Sequence, residues 1–280
     1  GSSGTEDTLW PPNPFGNDIA ELGLDSNGTS YKTVYTRDAI DTVYGTEIYG
    51  DFLTQLSDLK TSRTIQDFEA FAYDWRQNVE DIVRDGTRYK GNVTKYPVSE
   101  LAALADTSKS RKVTIIAHSN GGLLAKALML ELERQGKTEL VDKVILVGTP
   151  QMGTPLTTLS LLYGYDETLP AGLMSQSEAR VLGEHMPGAY GLLPSASYLG
   201  RLEAPFIQFL SSEHTRYKKF REAYGDSIDS FDEFKSFLLG MGDGRTDPDA
   251  SAVDEENILE SGLLDKAIAT HERLDAWVPP

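Results

Sequence analysis

Ser119 stands in the run V-T-I-I-A-H-S-N-G-G-L-L (113–124), where a β-branched stretch stops and a helical stripe begins. A serine hydroxyl is a weak nucleophile until its surroundings expose and activate it, and a sharp strand-to-helix turn achieves the exposure. Ala117 and Gly121 flank Ser119 two residues away on either side. That is the G-x-S-x-G spacing with alanine in the first place. Small residues there let strand and helix cross closely, and the nucleophile itself is expected in a strained backbone conformation. The Asn120 N–H, at the start of the helix, is placed to donate to a developing oxyanion. The chemistry these residues predict is acyl transfer. The competing reading is an ordinary βα turn in which Ser119 only caps the helix. A phosphate-binding loop would need the Lys-Ser/Thr pair of G-x-x-x-x-G-K-[ST], which is missing.

Such a serine needs a strand before it and a helix after it. K-V-T-I-I-A (112–117) and K-V-I-L-V-G (143–148) are continuous apolar runs, as expected of strands buried on both faces of a parallel sheet. L-L-A-K-A-L-M-L-E-L-E-R-Q-G (123–136) between them reads as a helix closed by Gly136. Together they form a βαβ unit. Upstream, the spacing predicts an amphipathic helix over 46–59, a strand over 68–73 (F-E-A-F-A-Y) and a helix over 78–89. The opening L-W-P-P-N-P-F-G-N-D reads as an extended loop pinned by Trp10 and Phe15. Residues 153–275 turn mostly helical, with F-I-Q-F-L (206–210) as a possible strand. The expected organisation is a core over 1–152 and a helical cap or excursion over 153–280.

The chain of 280 residues is 39% hydrophobic and 25% charged, so it can form a packed core. Its net charge of -17 argues against nucleic acid as a partner, because phosphate binding needs a basic face. The same charge disfavours strong attraction to anionic headgroups, while leaving room for transient contact with a lipid surface through an apolar patch. No cysteine is present, which excludes disulfides, a thiol nucleophile and thiolate metal sites and leaves the compartment open. No apolar run reaches the roughly 18–20 residues of a membrane span. The first residues, G-S-S-G-T-E-D-T-L-W-P-P, show no signal-peptide pattern. H-E-x-x-H and the EF-hand order are both missing, and D-P-D-A-S-A-V-D-E-E-N reads as a solvated acidic loop. No metal and no cofactor is expected.

Four stretches, A-Y-D-W-R (72–76), I-I-A-H-S-N-G-G-L (115–123), L-V-G-T-P-Q-M-G-T-P (146–155) and M-P-G-A-Y-G-L-L-P-S (186–195), resemble the lecithin:cholesterol acyltransferase family of α/β-hydrolases. The resemblance implies a mostly parallel α/β-hydrolase sheet flanked by helices, with a largely helical cap. It implies that Ser119 attacks an ester carbonyl of a lipid and forms an acyl-enzyme, whose acyl group passes to water or to an acceptor alcohol. It places Asp74 and Trp75 on the rim, bracing the pocket or positioning substrate; an Asp74–Arg76 ion pair holding the loop is the alternative. Thr149 and Pro150 would shape the pocket floor. A soluble carboxylesterase, or a non-catalytic binding or adhesion module on the same scaffold, are the alternatives for the whole chain.

Four histidines are available for the base. His118 adjoins the nucleophile, and His185 and His214 lie in cap-like sequence. His271, with Asp243 of M-G-D-G-R-T-D as its acid, is the in-chain pair, but both sit in helical surroundings where the family expects loops after strands. The family pattern instead places acid and base beyond Pro280, and a glycine-rich oxyanion loop before Thr5, with Gly1–Gly4 as its tail or as a cloning remnant. The expectation is a portion of a larger protein, with sheet strands outside both ends.

Overall fold

In the computed structural model, residues 8–12, 19–167, 174–210 and 215–279 are described. The expected roles of Gly1–Gly4, Phe15 and His214 lie outside them. The chain divides into two units, one of Thr33–Gln151 with Ala276–Pro280, the other of Gly1–Lys32 with Met152–Asp275.

The first unit starts with a small antiparallel hairpin, β1 (Thr42–Val43) and β2 (Thr46–Glu47), followed by α1 (Gly50–Thr61). The helix expected from residue 46 starts later because that hairpin occupies its first turn. Next comes α2 (Val79–Asp85), opened by the Asn78 side chain, which accepts the Glu80 N–H at 2.9 Å. It ends at Gly86, whose φ of +76° is ill suited to other residues and whose Cβ would fall 2.7 Å from the Lys95 carbonyl oxygen. The helix expected to run to residue 89 therefore stops there. Thr87–Tyr89 becomes β3, paired antiparallel with β4 (Val93–Lys95).

No strand forms over 68–73, contrary to expectation. The segment finds no ladder partner among the described residues, and side chains hold it instead. Tyr89 Oη donates to the Ala72 carbonyl at 2.5 Å, the Asp74 N–H donates to Thr87 Oγ1 at 3.0 Å, and Lys95 pairs with Glu69 at 2.5 Å.

The unit closes with α3 (Pro97–Thr107), β5 (Val113–His118), α4 (Gly121–Gln135) and β6 (Val141–Val147). β5 and β6 run parallel, with Ile115 opposite Val144 and His118 opposite Val147. Gly136, left-handed at φ +65°, ends α4 and donates to the carbonyls of Leu132 and Glu133. Of the four two-stranded sheets described, this βαβ pair is the parallel one and the other three are antiparallel. The architecture is mixed α/β. The strands were expected to be buried on both faces, but burial alternates along them. Val113 and Ala117 are buried, whereas Ile116, Ile145 and Val147 are 44–47% exposed. Successive side chains point to opposite faces of a strand, so one helical layer covers only every second residue.

The second unit is mostly helical. It comprises α5 (Pro155–Tyr163), α6 (Gln176–Glu184), α7 (Pro187–Tyr190), α8 (Ala196–Leu199), α9 (Thr215–Tyr224), α10 (Phe231–Leu238) and α11 (Ser261–Ala276). Within 206–210 only Ile207–Gln208 is a strand (β7), paired antiparallel with β8 (Ser227–Ile228). Capping boxes at Ser175–Glu178 and Ser230–Glu233 set the starts of α6 and α10. The core is aromatic: Phe220 meets Phe237 edge to face at 5.4 Å, and Phe206 meets Phe234 at 4.9 Å. Met186, Tyr190 and Leu193 of the M-P-G-A-Y-G-L-L-P-S stretch are buried in this unit, Met186 and Leu193 nearly so and Tyr190 completely. The acidic run 247–257 is not simply solvated. The buried Arg180 guanidinium donates to the carbonyls of Ala252 and Glu255, and Glu256 is buried against Tyr163 Oη at 2.8 Å. A buried guanidinium must find acceptors, and this loop supplies them. No described helix is long and apolar enough to cross a membrane.

Candidate active site

Ser119 makes the whole turn from β5 to α4 in one residue. Its φ is +51°, while Asn120, at φ -54° and ψ -29°, is already helical. A non-glycine residue held in that region costs about 1–3 kcal/mol and persists only where its surroundings enforce it. Here the Ser119 N–H is bonded to the Val147 carbonyl at 3.0 Å, the last rung of the β5–β6 ladder. The Ser119 carbonyl accepts from Gly122 N–H at 2.9 Å, the first bond of the helix. Strand pairing on one side and helix formation on the other thus enforce the strained angle. Ser119 is exposed. The Asn120 side chain makes no capping bond, and among the described residues no acceptor takes the Asn120 N–H. An exposed hydroxyl and a free N–H beside it are two of the parts an acyl-transfer site uses, a general base being a third.

The closest steric limit falls one residue later than the sequence spacing suggests. A Cβ at Gly121 would meet only Tyr73 Oη, at 3.9 Å. At Gly122 it would lie 2.0 Å from Thr149 Oγ1 and 2.7 Å from Thr149 Cβ. Thr149 of the G-T-P turn therefore packs directly against the first turn of α4, a fixing role for a residue expected to shape the pocket floor. A β-branched side chain cannot swing clear of such a clash. Gly122→Ala is expected to lower stability by about 1–2 kcal/mol. Thr149→Gly in the same chain should recover most of that loss, whereas Gly121→Ala should shift stability by under about 0.5 kcal/mol. Urea midpoints of these three variants and the parent measure this.

Two tyrosines that the sequence did not single out line this end of the sheet. Tyr49 Oη is 2.8 Å from His118 Nδ1, with the rings edge to face at 5.8 Å. Tyr73 stands beside Gly121, and burial pushes its phenol up, so it keeps its proton as a donor at neutral pH. Tyr73 immediately precedes Asp74 in A-Y-D-W-R, a signal that was present; Tyr49 had none.

Asp74 is engaged in the alternative that the sequence left open. Its carboxylate takes Arg76 Nε at 2.8 Å and Nη2 at 2.7 Å, a bidentate pair, and also the Arg76 N–H at 3.2 Å. The Arg76 side chain is 2% exposed and that of Asp74 is 23% exposed. Trp75, between them, is half-buried.

The other two candidates lie in the second unit and are not brought together. Asp243 accepts from Tyr224 Oη at 2.7 Å and pairs with Arg245 at 3.0 Å. His271 donates from Nε2 to the Gly191 carbonyl at 2.9 Å, with Nδ1 3.4 Å from Asp275. Ser195 Oγ donates to the other oxygen of Asp275 at 2.6 Å. This Ser–Asp–His cluster is buried and joins the carboxylate directly to the serine, with the His271 Nε2 turned to the Gly191 carbonyl, so no imidazole stands on the hydroxyl and the cluster reads as a structural brace. Burial pushes the Asp275 carboxyl up, but the bonds from His271 and Ser195 outweigh it and hold the group below its usual 3.8. A depressed carboxylate contributes stability above its unfolded pKa and loses it as pH falls through the folded value. Asp275→Asn should therefore cost more stability at about pH 7 than at about pH 2, read from guanidinium midpoints.

Among solved structures, a chain of the Tle4–Tli4 complex is similar at 15% identity with a TM-score of 0.37, over 72% of this chain. This chain spans 41% of that one. No curated protein matches. The family model for lecithin:cholesterol acyltransferase, a family of lipid acyltransferases and lipases on an α/β-hydrolase scaffold, matches residues 41–237. That stretch is more than half of the sequence, and the chain belongs to the lecithin:cholesterol acyltransferase family.

Proposed function

We propose that this chain carries the nucleophile of a serine-dependent acyl hydrolase or O-acyltransferase that acts on lipid esters. The observation that carries the reading is the positive φ of Ser119 at the junction of a parallel strand and a helix. Ser119 Oγ attacks the ester carbonyl as a general base takes its proton, and the Asn120 N–H donates to the oxyanion. The tetrahedral intermediate collapses with loss of the alcohol, which leaves protonated. The acyl-enzyme is then released to water or to an acceptor alcohol, so hydrolysis and transfer share the first half-reaction. Asp74 and Trp75 belong to the rim, with Asp74 acting through Arg76 rather than on substrate. The unit that holds Ser119 has His118 as its one histidine, and Tyr49 Oη stands 2.8 Å from its Nδ1.

A fluorophosphonate probe tests this on the intact protein. Labelling of Ser119, abolished in Ser119→Ala, is expected. Labelling that survives the substitution, or an intact protein that takes no label, would overturn it in favour of a binding module.

A further inference from the structure

Glu184 and His185 are adjacent in sequence and Glu260 lies 75 residues beyond His185, yet each offers a ligand atom within 4.8 Å of the other two. Their placement follows from the ends of two helices. Glu184 is the last residue of α6, His185 is its C-cap, and Glu260 immediately precedes α11. The fully buried Tyr190 locks these ends together: its hydroxyl donates to the Glu184 carbonyl at 2.7 Å and accepts from the Glu260 N–H at 2.8 Å. Backbone on both sides of the cluster is therefore fixed before any side chain moves.

We propose that Glu184, His185 and Glu260 form a binding site for a zinc-like divalent cation that clamps the C-terminal end of α6 to the N-terminal end of α11. Three features point to a cation. His185 Nδ1 is buried and has no hydrogen-bond partner among the described residues, and Glu260 Oε1 lies 3.8 Å from it, too far to bond. A buried nitrogen left without a partner is costly, and a metal ion uses its lone pair. Glu184 also places a carboxylate at the C-terminus of a helix, where the partial charge is already negative. Finally, the carboxylates of Glu184 and Glu260 themselves stand within 4.8 Å of each other. Crowded anions with an orphan imidazole are the arrangement that a divalent cation would relieve.

The donor set selects the ion. One imidazole nitrogen with carboxylate oxygens suits zinc and its neighbours, whereas calcium and magnesium prefer sites made wholly of oxygen. Ligands about 2.0–2.2 Å from one tetrahedral ion stand closer together than 4.8 Å, so binding draws the side chains inward by rotamer adjustment. The role is structural, and it is independent of the acyl chemistry assigned to Ser119.

Zinc titration of the chelator-treated full chain, followed by competition with a chromophoric chelator and by thermal melting, tests the site. One equivalent is expected to bind and raise Tm, while magnesium and calcium at the same concentration leave Tm unchanged. His185→Ala and the isosteric Glu260→Gln should each weaken zinc by at least about tenfold. Without zinc, Glu184→Gln should melt at or above the parent temperature because it removes a crowded charge; with zinc, the parent should overtake it. A chain that binds no zinc, or that binds it equally in all three variants, overturns the proposal. Circular dichroism of the metal-free variants shows whether they fold, and Glu184→Gln keeps the test open should His185→Ala fail to.

Discussion

Ser119→Ala in the intact protein is expected to lower kcat for ester cleavage by about three to six orders of magnitude while leaving KM within a few-fold. Nucleophile and base act as a unit in such sites, so removing the hydroxyl removes most of the chemistry at once. What survives comes from the oxyanion donor and from substrate binding. The same variant discriminates against the capping reading. A serine cap replaced by alanine costs about 1 kcal/mol of stability and would leave any activity intact. Ser119 makes no capping bond among the described residues, and alanine meets the same backbone strain at φ +51°. Stability should therefore change by under about 0.5 kcal/mol. A large loss of rate at nearly constant urea midpoint is the expected pair of results. The reverse pair would make Ser119 a piece of the turn.

The parts of this site that depend on local sequence could be read in advance. Strand, serine and helix are consecutive, and a β-branched run meeting A-H-S-N-G-G allows few other backbone paths. Non-local packing was hidden. Nothing in the spacing shows that Thr149 presses on Gly122 rather than on Gly121, because the contact joins a turn to a helix distant in sequence. The run 68–73 alternates like a strand, but a strand is defined by its partner, and the hairpin β3–β4 holds this segment by side chains. Glu260 is separated from Glu184 and His185 by a long stretch of the second unit, and no motif at short range joins them. The helix over 78–89 failed for a local reason that was legible: Gly86 in a left-handed conformation is a stop signal within the pattern. Family membership spans 41–237 and so bridges the two units, whereas the resolved geometry of the proposed nucleophile belongs to one of them.

Asp74→Ala is expected to destabilise its unit by about 3 kcal/mol, because it strips a buried guanidinium of a bidentate carboxylate. Breaking a fully buried ion pair costs about 3–5 kcal/mol. The lower end applies here because the Asp74 side chain is 23% exposed and water reaches part of the pair. The loop it braces is the one that carries Tyr73 to Gly121, so a second consequence follows. Activity of the intact protein should fall mainly through kcat, as Tyr73 and the turn at Ser119 lose their fixed relation, with KM little changed. Asp74→Asn keeps an oxygen for the Arg76 Nε and loses the charge, and should fall between the parent and Asp74→Ala in both measurements. A residue that positions substrate directly behaves otherwise: its loss raises KM and leaves the urea midpoint where it was. Denaturation and steady-state kinetics on the same two variants separate the roles. Arg76, at 2% exposure, is the reason to expect the first pattern. A guanidinium that deep in the protein cannot recover its carboxylate's contribution from solvent.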